Sequence, residues 1–547
     1  VDDAKQVIRR WERLKGDRAN HERVWQDIAE VCRPWRADFT IRRADGQKRG
    51  DQQYDGTAAA ALKNLGAGLW SMVTNSATKW FDLQHPDPNI NADQGVRLWL
   101  EHVGSRMGDA FQANGQRFYS EAQDFYEDLS AFGTAIMWVD EAASGGRLTF
   151  SNRALSECCI AQNDEEKIDT VVRQFEWTAE QAWMHWGDKA PEAVRKHVEK
   201  DPDRRFTFLH AVMPNRGFLP KRLDYKGKPW VSCYICKDSG EEIQRGGFNE
   251  FPYMVARWSN MARSIYGESP AMVALTDIKV LNAMEKTQLV AAQKAADPPL
   301  LAADEDVLST VRMTPSGITY GAISAEGRPL VMPLQTGASF NLTLEMAQER
   351  RNAIREAFHY SLLLMTQNAN ATATEVMARQ EEKLRLMGPH LGRICTEFLD
   401  PLIERCYQIM TRGGAFMPPP EVLMQAPQIK VEYVSPLAKA QRSAEAGSIL
   451  RTMQAVLPMA EQQPDLLENF DMDKVVRGLA DGFGAPAELL RDPRQIAEAR
   501  AQRAQMKQIQ QMATLAQPLQ QGAQGMKAMA EAGAIAQQAQ QPQGAPA

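Results

Sequence analysis

The chain has 547 residues, a formal net charge of −6, and 44% hydrophobic and 24% charged residues. That is the make-up of a folded protein with a sizeable core and length for two to four domains. It excludes a basic coat on nucleic acid as a first reading, no apolar run reaches the ~18 residues of a membrane span, and seven thinly spread Cys, an odd number, point to free thiols in a reducing compartment.

Residues 1–33 read as helix, because Val7, Ile8, Trp11, Leu14, Val24, Trp25, Ile28, Val31 and Cys32 recur at three-to-four spacing. Arg9, Arg10, Arg13, Arg18 and Arg23 fall on the opposite faces, where a solvated surface is expected. Residues 34–56 read as a polar, mobile loop, and Thr57 as the cap of a helix over 58–75. The segment 93–132 is helical again. From 133 to 260 the period becomes two, and strands are predicted over 134–139, 147–151, 170–177, 205–212, 230–236 and 253–258. One helix, over 178–199, interrupts them.

Ser269-Pro270 marks a helix start, with Ser as cap and Pro at the first helical position. That helix runs to Ala296 and stops at Asp297-Pro298-Pro299, a length of roughly 40 Å. Short strands are expected over 300–337, then a second long helix from Asn341 to Met365 and a polar loop over 366–371. Thr372-Ala-Thr-Glu375 is a capping box. The helix it opens reaches Arg412, with bends expected at Gly388-Pro389 and at Pro401, where a hydrogen bond is lost and the ring meets the previous turn. A single strand over 429–434 follows, then a helical tail rich in Gln, Ala and Met. Residues 517–547 carry few large apolar side chains and are expected to stay disordered.

Motifs that carry chemistry are scarce. No phosphate-binding loop, dinucleotide fingerprint, zinc-protease helix or nucleophile elbow occurs. Cys233 and Cys236 form the one Cys-x-x-Cys pair, but on a strand they point to opposite faces and read as core. Asp471 and Asp473 lack the other ligands of a calcium loop. No catalytic residue, metal or cofactor is assigned, and the chain does not read as an enzyme.

The order of parts says more. Two helices of ~40 Å flank a small β unit and project it from an α+β body. Met272, Leu275, Ile278, Leu281 and Leu289 line one helix; Leu344, Ala347, Ile354 and Phe358 line the other. One hairpin cannot bury both stripes, and packing against copies of itself in a closed ring does. The competing reading is a hairpin within a monomer core.

The segment Arg257-Trp-Ser-Asn-Met-Ala-Arg-Ser-Ile-Tyr-Gly-Glu-Ser-Pro270 leads into Asp277-Ile-Lys-Val-Leu-Asn282 and Ala295-Ala-Asp-Pro-Pro-Leu300. These stretches resemble the portal, or head-to-tail connector, proteins of short-tailed, podovirus-type bacteriophages. So do Trp25 to Pro34, Trp80-Phe-Asp-Leu83, Thr372-Ala-Thr-Glu-Val376, Gly388-Pro389, Phe398-Leu-Asp-Pro-Leu402 and Tyr433-Val-Ser-Pro-Leu-Ala438. The resemblance spans about 5–490.

It implies an α+β, mainly α fold assembled as a ring. Its parts are a wing (1–265), a first stem helix (266–297), a β-containing clip (298–338) and a second stem helix (339–365). A tunnel loop (366–371), a long kinked helix with a return strand (372–435), a crown or barrel (436–516) and a tail (517–547) complete it. The implied state is a homo-oligomer, a dodecamer, at the capsid vertex of the virion, assembled in the host bacterial cytoplasm without contact with a membrane. Double-stranded DNA passes through non-specifically as it is packaged, retained and ejected. Terminase, tail adaptor, major capsid and scaffold proteins are the implied partners. The alternatives are another phage structural protein or a DNA-processing enzyme.

Within that frame the acidic balance suits a conduit, since every cation that neutralises a phosphate adds affinity and acts as a brake. Lys279 and Lys286, seven apart, share one face of the first stem helix, with Lys294 further round toward the clip. They and Arg350 and Arg351 of the second stem helix are the expected channel cations, set against pairing with acidic groups of a neighbouring subunit. Gln367, Asn368 and Asn370 are expected to form a constriction, Gly388 and Pro389 the bend, and Asp304, Glu305, Asp306, Arg312 and Arg328 the clip's partner surface.

Overall fold

The computed structural model describes residues 4–44, 46–91, 93–113, 117–141, 147–302, 323–324, 326–333, 340–361, 385–425, 429–433, 436–460, 469–483, 485, 489–490 and 495–508. The chain divides into two compact units, residues 1–86 with 99–440, and residues 87–98 with 441–547.

In the first unit, α1 (Ala4–Asp17) and α2 (Ala19–Cys32) replace the single predicted helix. Arg18, at the break, is the reason. It is 2% exposed rather than solvated, and it donates to Glu22 (2.7 Å) and to the carbonyls of Leu155 (2.9 Å) and Ser156 (2.7 Å). Trp25 is fully buried, its indole N–H donating to the Phe132 carbonyl at 3.1 Å. Next comes α3 (Thr57–Val73), where Thr57 is the first helical residue rather than the cap, Gly56 is the N-cap, and the Asp55 carboxylate just before it accepts from the Thr57 N–H at 2.7 Å.

The predicted helix over 93–132 is two, α4 (Gln94–Gln112) and α5 (Phe118–Phe132), with Arg117 between them at φ 55°. α5 ends at Gly133, whose φ of 71° is a left-handed cap. A side chain there would run into the backbone of Gly267 and Glu268.

Strand β1 (Phe81–Gln84) pairs antiparallel with the return strand, β14 (Lys430–Tyr433). A three-stranded sheet follows, ordered β3 (Leu148–Arg153), β2 (Thr134–Glu141), β9 (Tyr253–Arg257). The larger sheet is an antiparallel meander of β4 (Cys158–Gln162), β5 (Ile168–Thr178), β6 (Arg205–Pro214), β7 (Trp230–Cys236) and β8 (Glu242–Phe248).

Alternation explains how this sheet is covered on both faces. Val172, Leu209, Ala211, Cys233 and Ile235 pack on Val7 and Trp11 of α1. Phe175, Phe206, Phe208 and Cys236 pack on α6 (Ala179–Trp186) and α7 (Glu192–Val198). Cys233 and Cys236 therefore sit on opposite faces, and all seven cysteines are free. The single predicted helix over 178–199 is broken because α6 ends at Gly187 and Pro191 opens α7. Within this sheet His210 accepts or donates at both nitrogens, to Tyr253 Oη and Ser232 Oγ at 2.9 Å each.

Two-residue strands β10 (Ser259–Asn260) and β11 (Gly267–Glu268) lead to α8 (Pro270–Ala296). Beyond it β12 (Leu300–Ala302) pairs antiparallel with β13 (Val331–Pro333). α9 (Phe340–Ala357) ends earlier than Met365, as His359 turns to φ 55°. Residues 385–394 are helical and pass through one π-turn (Cys395–Leu399) into α10 (Asp400–Arg412). The second unit contains the helix Pro436–Ala460 from Gln441 onward, and helices Met472–Phe483 and 495–508. There Gln94 donates to the Leu490 carbonyl at 3.0 Å, and Arg500 pairs with Asp473 at 2.7 Å.

Candidate functional site

α8 forms because Ser269 Oγ accepts from the Met272 N–H at 3.0 Å and Pro270 supplies a fixed φ without a wasted donor. Nothing in the next 26 residues breaks the helix, so it runs its full length. Its first turns are anchored: Ala271, Ala274, Ile278 and Leu281 are buried. Beyond Leu281 burial ends, and Leu289 (54% exposed) and Val290 lie open. α9 returns beside it with Ala347 and Ile354 buried, followed by buried Phe358, while Leu344 is exposed. The apolar stripes read from the sequence are thus half covered within one chain.

Ion pairs lock the two helices together. Arg350 reaches Asp277 at 2.9 Å, and Arg351 bridges Glu285 and Asp55, the latter at 3.0 Å. Burial works against the Asp55 carboxylate, but hydrogen bonds from Thr57 and the guanidinium of Arg351 hold it below the usual carboxylate range. Asp55 belongs to a strap. The Tyr54 N–H donates to Asn282 Oδ1 at 2.7 Å, Asn282 donates to the Gln52 carbonyl, and Lys286 Nζ stands 5.6 Å above the Tyr54 ring. Nor is the preceding stretch loose: Gln26 Oε1 accepts from the Phe39 and Thr40 N–H groups. Within the expected loop over 34–56, these side chains tie down the backbone at Phe39, Thr40, Gln52 and Tyr54.

Lys279 pairs with Asp27 of its own chain at 2.6 Å, both half exposed. Lys286 is over Tyr54. Lys294 is exposed on the last turn of α8, with no ion-pair partner among the described residues. Arg350 and Arg351 hold α8 to α9 and to the strap. Arg328 is exposed on the turn whose Ser324 N–H donates to the Arg328 carbonyl at 2.8 Å. Gln367, Asn368 and Asn370, the capping box at Thr372, and Asp304, Glu305, Asp306 and Arg312 lie outside the described residues. Gly388 and Pro389 lie within an unbroken α-helical stretch; the change in hydrogen bonding comes later, at the π-turn.

That π-turn sits where the long helix is bolted to the body. Glu397, inside it, accepts from the backbone N–H of Arg257 at 2.8 Å and pairs with its guanidinium at 2.9 Å. Arg405, 2% exposed, donates to the Val139 carbonyl (2.7 Å) and the Glu250 carbonyl (3.0 Å), and pairs with Asp140 at 3.2 Å. Trp258 stacks on His390 with ring centroids 4.3 Å apart, and His359 lies 6.2 Å from His390. Burial first, and His390 second, lower the His359 pKa.

Sequence reasoning missed the acidic side of this network: Asp27, Asp55, Asp277 and Glu285. A signal existed, since α8 carries Asp277 and Glu285 while α9 carries Arg350, Arg351 and Arg355. Among the described residues no group of three or more His, Cys, Asp or Glu is placed to hold a metal. Among those residues no helix is long and apolar enough to cross a membrane.

Comparison with known proteins gives a family, two relatives and a solved structure. The family model for the bacteriophage head to tail connecting protein matches residues 4–490. The chain is 30% identical over 515 residues to the probable portal protein of Bordetella phage BPP-1, covering 91% of each. It is 29% identical over 512 residues to the portal protein of Salmonella phage epsilon15, again covering 91% of each. A solved neck of an empty GTA particle, computed with C6 symmetry, aligns over 77% of this chain and 91% of that one, with 11% identity and a TM-score of 0.39.

Proposed function

The chain belongs to the bacteriophage head-to-tail connecting proteins, and from that premise we propose that it is a phage portal subunit. Copies assemble as a ring at the head-tail connection of the virion, and double-stranded DNA passes along the ring's axis. The observation that carries this reading is the family match across residues 4–490, end to end with the stem and the long helix. A physical argument supports it. Leu289, Val290 and Leu344 lie on the exposed surface of the paired helices, and neighbouring copies are the economical cover for such a stripe.

The role is structural rather than catalytic. Of the five expected channel cations, Lys279, Lys286 and Lys294 are the ones we assign to the channel. The Lys279–Asp27 pair is half exposed, and such pairs contribute at most about 1 kcal/mol, so a passing phosphate can compete for the ammonium. Arg350 and Arg351 are committed to holding the stem together. A few cations per copy, repeated round a ring, give a shallow attraction for the backbone without base contact.

Native mass measurement is the first test. A ring appears as one species at a whole multiple of the 61.2 kDa protomer, with a dodecamer expected; a stable monomer in the purified protein would reject the reading. For the channel, Lys286→Gln with Lys294→Gln is expected to alter the salt dependence of DNA packaging while leaving the ring intact. Unchanged packaging at every salt concentration would remove these lysines from the channel.

A further inference from the structure

A cleft of about 430 Å³ opens on the first unit, between α1, residues 35–43 and the edge formed by residues 154–159, 174–176 and Arg205. That is the size of an ordinary ligand pocket. Its lining holds six Lys or Arg and four Asp or Glu. All four acids are matched: Glu22 by Arg18, Asp38 by Arg49, Glu157 by Arg173 and Glu176 by Arg42. Two further cations are matched from outside, Arg36 by Asp128 and Arg43 by Glu30.

Lys15 and Arg205 are left over. Both are exposed, and neither has an ion-pair partner among the described residues. Lys15 stands 5.3 Å from the ring of buried Trp11, held over an aromatic face rather than against a carboxylate. Trp35 lies in the same lining, 76% exposed. One lining therefore presents two cations without an ion-pair partner and a largely exposed indole, with the Arg49 guanidinium 6.0 Å from its ring centre.

We infer that this cleft binds an acidic segment of a partner polypeptide. Its carboxylates meet Lys15 and Arg205, and an apolar side chain covers Trp35. The acids of the cleft decide between polypeptide and nucleic acid. A nucleic-acid strand carries a charge about every 3.4 Å and would bring phosphates against Glu22, Asp38, Glu157 and Glu176. A peptide spaces its charges by sequence and leaves neutral residues opposite those groups. The inference stands on the cleft alone and does not depend on ring formation.

Fluorescence anisotropy of the full-length protein tests it, using a fluorescein-labelled peptide Glu-Asp-Phe-Glu-Asp-Leu. Saturable binding that weakens with salt is expected. In Lys15→Gln with Arg205→Gln, two exposed positions away from the core, affinity should fall at least about tenfold. Trp35→Ala should weaken binding while leaving the salt slope unchanged. The peptide with Gln and Asn in place of its acids should not bind. An absence of saturable binding, an unchanged affinity in the double variant whose melting matches the parent, or equal competition by an unlabelled single-stranded oligonucleotide would each overturn it.

Discussion

His210 shows how one side chain couples the sheet to pH. Burial, and then the nearby Arg173 and Arg153, push its pKa down to about 3. In the unfolded chain it titrates near the usual ~6.5. Between those values the unfolded state binds the extra proton, so stability is full above about pH 6.5 and is lost as pH falls toward the folded value. Thermal melts from pH 7 to 4.5 are expected to fall, and His210→Gln, which keeps a polar partner but cannot titrate, should flatten the slope. An equal slope in the variant would locate the acid sensitivity elsewhere. Gly133 makes the opposite kind of demand. Its φ is 71° and the Gly267 backbone occupies the place of a Cβ, so Gly133→Ala should cost more than the ~1 kcal/mol of an unstrained position. A drop in the urea midpoint checks this.

At the scale of elements, the two long helices follow from local signals, while what they touch does not. Gly388 has nothing within 4 Å of the place its Cβ would take. Inside a helix Ala is favoured over Gly by about 0.5–1 kcal/mol, so Gly388→Ala is expected to raise the melting temperature slightly. A large loss would mean that the glycine serves the shape of the long helix. Arg351→Ala removes the shared partner of Glu285 and Asp55 and should loosen the strap, read as faster hydrogen exchange at residues 52–57. The start of α8 was legible because Ser269-Pro270 is a local cap. Apart from β4, the strands from Thr134 to Cys236 were legible from their period of two. The strap was not, because its bonds join Tyr54 to Asn282 across 228 residues and Arg351 to Asp55 across 296. β4 was hidden for another reason: Cys158 and Cys159 are both buried, so its short pattern does not alternate. Arg18 shows the limit of periodicity, since an Arg in a helix reads as solvated until the carbonyls that receive it are known.

At the scale of the whole molecule, the first unit closes on itself late. β1 has one strand partner, β14, and the Gln84–Glu432 hydrogen bond spans 348 residues. Ending the chain at residue 425 would delete that partner and should give insoluble protein. Ending it at 508 removes none of the contacts described above and should leave a folded product; solubility and circular dichroism distinguish the two. The pairing also sets a schedule for the newborn chain. At about 5–20 residues per second, the ribosome needs roughly 17–70 s after finishing β1 before β14 exists. Throughout that interval Phe81 and Leu83 belong to a strand with bare edges, in a cell filling with identical nascent chains. The hazard in making this protein is therefore one of timing: an edge that pairs with a neighbour's chain before its own has been translated.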